Sequence, residues 1–172
     1  MRRILLVPLA LAGCVPQPEA PAPAPPPVVA PPPPRPAAPA LGPDWRDWPV
    51  SAGTWTYRQD ARGSIALFGT GGSDASLTLR CDREGSRIYL SRAGAAATSA
   101  TIRTSTTTRA VPMQPTGGTP AYVAAALAPA DPLLDAMAFS RGHFTVEQAG
   151  TPPLVIPAWA EVGRVIEDCR GG

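Results

Sequence analysis

Apolar and polar residues alternate over several short stretches that begin near residue 53. The clearest is 75–81, where Leu77, Leu79 and Cys81 are separated by polar residues. A period of two predicts a strand with one buried face. The same pattern, bounded by turn residues, predicts strands at 53–60, 64–70 and 87–92. The turn at 82–85 predicts a hairpin of 75–81 with 87–92.

Three further stretches carry other signals. A β-branched run at 98–106 predicts an outer or edge strand. Residues 112–119 are predicted to form a loop. Residues 121–127 are ambiguous, because alanine favours a helix whereas Tyr122 and Val123 favour a strand. We favour a strand there.

Helical spacing appears only towards the C-terminus. Asp131 followed by Pro132 is typical of a helix start, and Gly142 can end that helix. Short strands are predicted around Phe144 and at 154–156. Pro157 is predicted to open a second helix, whose apolar stripe predicts its buried face. The stripe consists of Trp159, Val162, Val165, Ile166 and Cys169.

These elements predict an α+β domain over residues 44–172. It would contain an antiparallel sheet of about six to seven short strands, with two helices near the C-terminus. No repeat of fixed period is visible. The predicted domain is long enough to bury a core of its own.

The first residues carry a different pattern. Arg2 and Arg3 precede a short apolar stretch at 4–11, which is followed by small residues and Cys14. This order resembles the signal peptide of bacterial lipoproteins. The resemblance implies removal of residues 1–13 and acylation of Cys14 at both its thiol and its new amino group. The alternatives are an ordinary signal peptide, or an apolar start that contains a cysteine by chance.

The resemblance also implies a location. Val15, rather than Asp, follows the cysteine, which favours the outer membrane with the domain on its periplasmic face. Residues 14–43 are then a lipidated cysteine and a linker of mostly Pro, Ala and Val, which holds more than half of the chain's 24 prolines. At ~3.1 Å per residue, a polyproline II spacer of this length would reach roughly 90 Å. The alternative is a disordered tether.

If Cys14 carries lipid, Cys81 and Cys169 remain. Both fall on predicted buried faces, and an oxidising compartment favours their pairing. A disulfide closing so long a loop is worth about 4–5 kcal/mol in the chain-entropy model. The alternative is a redox or metal pair, but the chain has one histidine and no Cys-x-x-Cys motif.

Charge and composition exclude several functions. From Asp44 onward the numbers of arginines and of acidic residues are equal, so the domain has no basic surplus with which to bind nucleic acid or anionic lipid. The chain contains no lysine, which excludes Schiff-base chemistry, phosphate-loop lysines and Ser–Lys dyads.

The candidate catalytic groups are sparse. His143 is the only histidine, Ser140 lies near it without a Gly-x-Ser-x-Gly motif, and we interpret His143 as an exposed or capping residue. The glycine-rich run at 69–72 is interpreted as a turn. The acidic residues of the second helix, Glu161, Glu167 and Asp168, are interpreted as a solvated face. We therefore expect no enzyme, no cofactor and no metal site.

Two groups of residues are candidates for binding. The Thr, Ser and Arg side chains of 98–109 would bind a glycan or a peptide edge, or they are a solvated edge strand that discourages aggregation. Trp45 and Trp48 would stack on sugars, or they pin the first strand to the core.

Two families invite comparison. Leu77-Thr78-Leu79-Arg80-Cys81 followed by Ile88-Tyr89-Leu90 is similar to the invasion-associated locus B family of small secreted β-rich domains. The Ser-Gly-x-x-Tyr loop of membrane-bound C-type lysozyme inhibitors is missing. We expect an outer-membrane lipoprotein that binds or scaffolds an envelope component, with peptidoglycan or an envelope protein as its partner. The alternative is an inhibitor of a cell-wall hydrolase.

Overall fold

The computed structural model describes residues 41–171, which lie within one compact unit. The predicted signal peptide, Cys14 and nearly all of the linker lie outside the described residues. Between residues 41 and 171 the chain forms a short 3-10 helix (Trp45–Asp47), nine strands and two α-helices. In chain order the elements are β1 (Thr54–Asp60), β2 (Gly63–Gly69), β3 (Leu77–Asp82), β4 (Arg87–Ala93), β5 (Thr98–Arg103), β6 (Thr108–Pro115), β7 (Tyr122–Leu127), α1 (Pro132–Ala138), β8 (His143–Gln148), β9 (Leu154–Pro157) and α2 (Ala160–Arg170).

The strands form one antiparallel sheet in the order β1-β2-β3-β4-β7-β6-β5-β8-β9. The predicted antiparallel sheet with two helices near the C-terminus is therefore confirmed, but the predicted number of six to seven strands is wrong. The two outer strands meet. The amide of Ser51 donates to the Val155 carbonyl at 2.9 Å, and the Trp55 indole N–H donates to the Pro157 carbonyl at 2.9 Å. The sheet thus curves until its two edges are joined by hydrogen bonds.

The core lies between the curved sheet and the two helices. Helix α2 packs on β1–β4 through Val162, Val165 and Ile166, which are buried. The predicted disulfide between Cys81 and Cys169 is confirmed, with a Cα–Cα distance of 5.4 Å. It ties the end of α2 to β3, where Cys81 is fully buried.

A buried arginine links the two halves of the sheet. Arg92 on β4 is only 4 % exposed, and its guanidinium donates to the carbonyls of Val146 and Pro152, both at 3.1 Å. Burial lowers the pKa of this guanidinium. Because Val146 belongs to β8, the side chain connects strands that are not neighbours in the sheet.

The sequence predicted an outer or edge position for strand β5, and that prediction is wrong. It lies between β6 and β8, and it alternates buried Ala100 and Ile102 with residues that face outwards. A polar outer face is common in antiparallel sheets, whose second face is often solvated. The polar residues therefore indicated exposure to solvent rather than position at an edge.

The start of α2 also differs from the prediction. Pro157 ends β9 rather than opening a helix, since it pairs with His143. Helix α2 begins at Ala160, and Trp159 is its N-cap residue with half of its surface exposed. The apolar stripe that reaches the core therefore begins at Val162, and Trp159 does not belong to it.

Candidate functional site

Strand β6 changes its partner along its length. Residues 108–113 pair with β5, whereas Gln114 and Pro115 pair with Ala124 and Val123 of β7. The predicted loop at 112–119 is thus wrong for residues 112–115, which belong to β6, and right for 116–119, which lie outside any helix or strand. Because the register with β7 ends at Gln114–Ala124, the two strands part beyond it.

Pro112 explains why the strands part at this point. The amide of Thr116 donates to the Tyr122 carbonyl at 2.8 Å. Hydrogen-bonded pairs recur every second residue in an antiparallel ladder, so the next pairs would be Gln114–Ala124 and then Pro112–Ala126. Proline has no N–H to donate, so the ladder cannot continue in full. On its other side, Pro112 pairs with Ser99 of β5. This is a non-hydrogen-bonded pair of the ladder, so the missing N–H has no effect there.

The parting leaves a groove of about 700 Å³ on the outside of the sheet. One end is closed by the last pair of the ladder, Gln114–Ala124. The other end is closed by Arg109, whose guanidinium donates twice to the Asp131 carboxylate, at 2.9 Å each. The sides are mostly small residues, with Tyr89 of β4 as the one aromatic side chain. They are Ala110, Val111, Pro112, Ala124, Ala125, Ala126 and Leu127.

Backbone groups give the groove its chemistry. By the same alternation, Ala126 of β7 directs its N–H and C=O towards β6. From the opposite side, Ala110 directs its N–H and C=O, and Pro112 its C=O, towards β7. The register between β6 and β7 includes none of these three residues. The groove therefore offers hydrogen-bond donors and acceptors on both sides, spaced as in a sheet.

The charges at the groove neutralise each other. The hydrogen bonds from Arg109 hold the pKa of Asp131 below its usual value, although partial burial opposes this. Asp131 also caps α1 by accepting from the Leu133 amide at 2.9 Å. The groove thus presents a largely apolar surface without net charge, because its two charged residues, Arg109 and Asp131, pair with each other at one end.

Depressed carboxyl pKa values predict sensitivity to acid. Arg80 is the main cause that lowers the pKa of Asp60 from 3.8 to about 2, and Arg62 lowers the pKa of Asp82. A lowered folded-state pKa contributes stability that is present above the unfolded value and is lost as pH falls through the folded value. We expect the urea midpoint to be steady above about pH 4 and to fall as the pH approaches about 2. Asp60→Asn should reduce this fall, and a midpoint equal at pH 7 and pH 2 would contradict the expectation.

The catalytic candidates do not form a dyad. The Ser140 hydroxyl donates to the backbone carbonyl of His143 at 2.6 Å, not to its ring. The His143 ring Nε2 lies 3.2 Å from the Trp45 carbonyl, and the Trp45 ring meets it edge-on. Both side chains thus hold the turn between α1 and β8 and the chain before β1.

The polar groups of residues 98–109 are largely occupied within the domain. The Thr104 hydroxyl accepts from the amides of Thr106 and Thr107 in the turn between β5 and β6. Arg103 is paired with Glu147, and Arg109 belongs to the groove. Ser99 and Thr101 face a shallow depression that they share with β8 residues.

The other sequence candidates have structural contacts. The Trp48 indole N–H donates to the Gly42 carbonyl at 2.7 Å. The glycine-rich run begins with Gly69, the last residue of β2, and continues into a turn at 71–72. On α2, Asp168 accepts a hydrogen bond from the Tyr57 hydroxyl of β1. Burial raises the pKa of Asp168, but this hydrogen bond and nearby arginines outweigh it, so the pKa is lowered.

Sequence reasoning missed the groove residues because alanine carries no chemical signal. Pro112, inside a run with alternating buried Val111 and Met113, was the available sign of an interrupted ladder. Cys81 and Cys169 were found because both lie on predicted buried faces and because they remain as a pair once Cys14 is assigned to the lipid.

Within residues 41–171, no helix is long and apolar enough to cross a membrane, and no group of three or more His, Cys, Asp or Glu residues is placed to hold a metal. Comparison of the chain with known protein families, with characterised proteins and with solved structures found no match in any of the three.

Proposed function

We propose that this protein is a lipoprotein of the outer membrane whose periplasmic domain binds an extended peptide segment of an envelope component in the groove between β6 and β7. The domain acts as a binding module and not as an enzyme. The lipid on Cys14 holds it at the membrane, and the linker gives it reach. The observation that carries the proposal is a pair of strand edges left open in the middle of a sheet.

An extended peptide matches this groove in both backbone and side chains. Open strand edges bind other strands through main-chain hydrogen bonds, and neighbouring pockets select the side chains. Ala110, Pro112 and Ala126 supply the main-chain groups, and the small side chains around them leave space for a ligand. A volume of about 700 Å³ lies in the usual range for ligand sites. An uncharged lining favours small or apolar residues in the peptide.

The concave shape favours binding over the alternative of inhibition. An inhibitor that blocks a hydrolase by inserting a loop into its active site needs a free, projecting segment. The turn between β5 and β6 is instead held to the turn after α1. The Ser105 amide donates to the Ser140 hydroxyl at 3.0 Å, and the Arg141 amide donates to the Ser105 hydroxyl at 3.2 Å.

Filling the groove should abolish peptide binding. We expect a Cys14→Ser chain to enrich peptides from a displayed library of random 12-residue sequences. The enriched peptides should bind at least tenfold more weakly to an Ala126→Arg variant, measured by fluorescence polarisation, because the arginine occupies the groove. Ala96→Arg makes the same change on the exposed loop after β4 and is the matched control. Equal affinity for both variants would refute the groove as the binding site.

Restoring the missing N–H should close the groove. Pro112→Val provides a donor opposite Ala126, and one backbone hydrogen bond is worth about 0.5–1.5 kcal/mol. We expect slower hydrogen exchange of the Ala126 amide and weaker binding of the selected peptides. Unchanged exchange at Ala126 would show that proline does not keep the strands apart.

The anchor is tested separately. We expect Cys14→Ser to move the protein from the membrane fraction to the soluble fraction, because the thiol that accepts the lipid is gone. Immunoblots of membrane and soluble fractions, with Cys14→Ala as a second variant, measure this shift. If both variants still sediment with membranes, lipid on Cys14 is not the anchor.

A further inference from the structure

The exposed large apolar side chains of the described residues lie at one end of the domain. They are Leu41, Val50, Phe139 and Trp159, with exposed fractions of 39, 50, 78 and 50 %. Single exposed apolar residues are common on protein surfaces, but a group of them at one place indicates an interaction surface. We call these four residues the entry face, because the chain enters the domain there.

Backbone hydrogen bonds and an aromatic contact bring these distant residues together around the pair His143–Pro157. The Ala158 amide donates to the Gly142 carbonyl at 3.2 Å, which places Trp159 beside the turn that follows Phe139. The Trp45 ring contacts His143 at a centroid distance of 5.4 Å, which holds the entering chain at the same turn.

Val50 reaches the same end through the closure of the sheet. Its neighbour Ser51 donates to the carbonyl of Val155, two residues before Pro157. Leu41 belongs to the same entering segment, since the Trp48 indole is bonded to the Gly42 carbonyl. All four residues therefore lie in segments that meet near the point at which the chain enters the domain.

We propose that the entry face docks on the surface of the lipid bilayer. This inference rests on the proposed anchor at Cys14. The chain between Cys14 and Leu41 has one end in the bilayer and the other at this face, so the entry face is the part of the domain that the tether leads to. Docking requires the linker to be the disordered tether and not the stiff spacer, because a flexible tether raises the effective concentration of the domain at the membrane to about the millimolar range. A small apolar patch with weak intrinsic affinity is then sufficient for docking.

The side chains suit a bilayer better than a glycan. Trp and Phe partition into the membrane interface, and aliphatic side chains insert beside them. Sugars stack on free aromatic faces, but the ring of Trp45, which lies beside the entry face, is covered by the Arg46 guanidinium at 5.0 Å from its centroid, so the aromatic surface at this end is confined to Phe139 and Trp159. Leu41 and Val50 offer no ring for stacking. Arg46 is paired with Asp44, and the charged neighbours Asp47, Arg141 and Glu161 add no positive surplus, so the docking does not depend on anionic headgroups and should persist at high salt.

Tryptophan quenching tests the docking directly. The predicted mature chain, residues 14–172, is coupled through the Cys14 thiol to vesicles of phosphatidylethanolamine and phosphatidylglycerol that contain a maleimide headgroup. Cys81 and Cys169 do not react, because they form the disulfide. Emission is compared between vesicles with brominated and with plain acyl chains. We expect lower emission on brominated vesicles, unchanged in 0.5 M NaCl, and loss of most of this quenching in Trp159→Phe.

Variants show whether the entry face causes the contact. Val50→Ser with Phe139→Ser should remove the quenching, whereas Tyr89→Ser, which alters the aromatic residue of the groove, should not. Thermal unfolding midpoints establish that the variants are folded. Equal emission on brominated and plain vesicles overturns the proposal. The proposal is also overturned if insoluble peptidoglycan, and not vesicles, protects the emission of Trp159 from quenching by acrylamide. Coupling imposes the tether, so failure of native lipidation does not affect this result.

Discussion

Loss of the Cys81–Cys169 disulfide is expected to lower the free energy of unfolding by about 4–5 kcal/mol. The bridge joins residues that are 88 positions apart, so its removal frees most of the folded domain in the unfolded state. Domains of this size are stable by only about 5–15 kcal/mol in total. The bridge also holds the last turn of α2 against β3, so its loss should loosen the helix first.

The measurement is urea denaturation of the double variant Cys81→Ala, Cys169→Ala, monitored by circular dichroism. Wild-type protein treated with a reducing agent is the second form, since it lacks the bond but keeps both sulfur atoms. Both should show the same large fall in midpoint. A change below about 1 kcal/mol in both forms would contradict the chain-entropy account. Peptide mass mapping without reduction should recover Cys81 linked to Cys169.

Truncation of Phe68 should be among the most damaging single changes in the core, at about 3–5 kcal/mol. Phe68 is fully buried on β2, and its ring meets the Trp55 ring edge-on at a centroid distance of 5.4 Å. Phe68→Ala removes this aromatic contact and leaves a cavity that the surrounding strands cannot fill.

The matched control is Phe139→Ala, which makes the same chemical change at a side chain that is 78 % exposed. We expect this variant to stay within about 0.5 kcal/mol of the wild type. Urea midpoints for the two variants, measured side by side, separate burial from the loss of an aromatic residue as such. Similar losses at both positions would show that Phe68 does not carry core packing.

Local pattern was sufficient for several elements. The alternation around Leu77 and Leu79 predicted β3 and its buried face, and β3 pairs with β4 as the predicted hairpin. Asp131 and Pro132 predicted the start of α1, and the Asp131 carboxylate does cap that helix. The ambiguous run at 121–127 is a strand, as favoured, because β4 pairs with it along its whole length and β6 pairs with its first part.

The local pattern failed where the position of an element depends on the elements packed beside it. Strand β5 was predicted to be an outer or edge strand, and four of its six residues are polar, yet β6 and β8 flank it. The N-cap position of α2 could not be located, because a stripe through Trp159 fits a helix equally well. Pro157 belongs to β9 and not to α2, because it pairs with His143 of β8.

The sequence by itself determined which residues form most strands, which faces are buried and which two cysteines pair, because these depend on spacing of two or of about 3.6 residues and on the chemistry of single side chains. Only the tertiary structure decided the order of strands, the joining of the sheet's two edges and the groove. The absent N–H of Pro112 has a consequence only because the fold places it opposite Ala126. Which strand lies beside which depends on contacts between distant parts of the chain, and no local period records them.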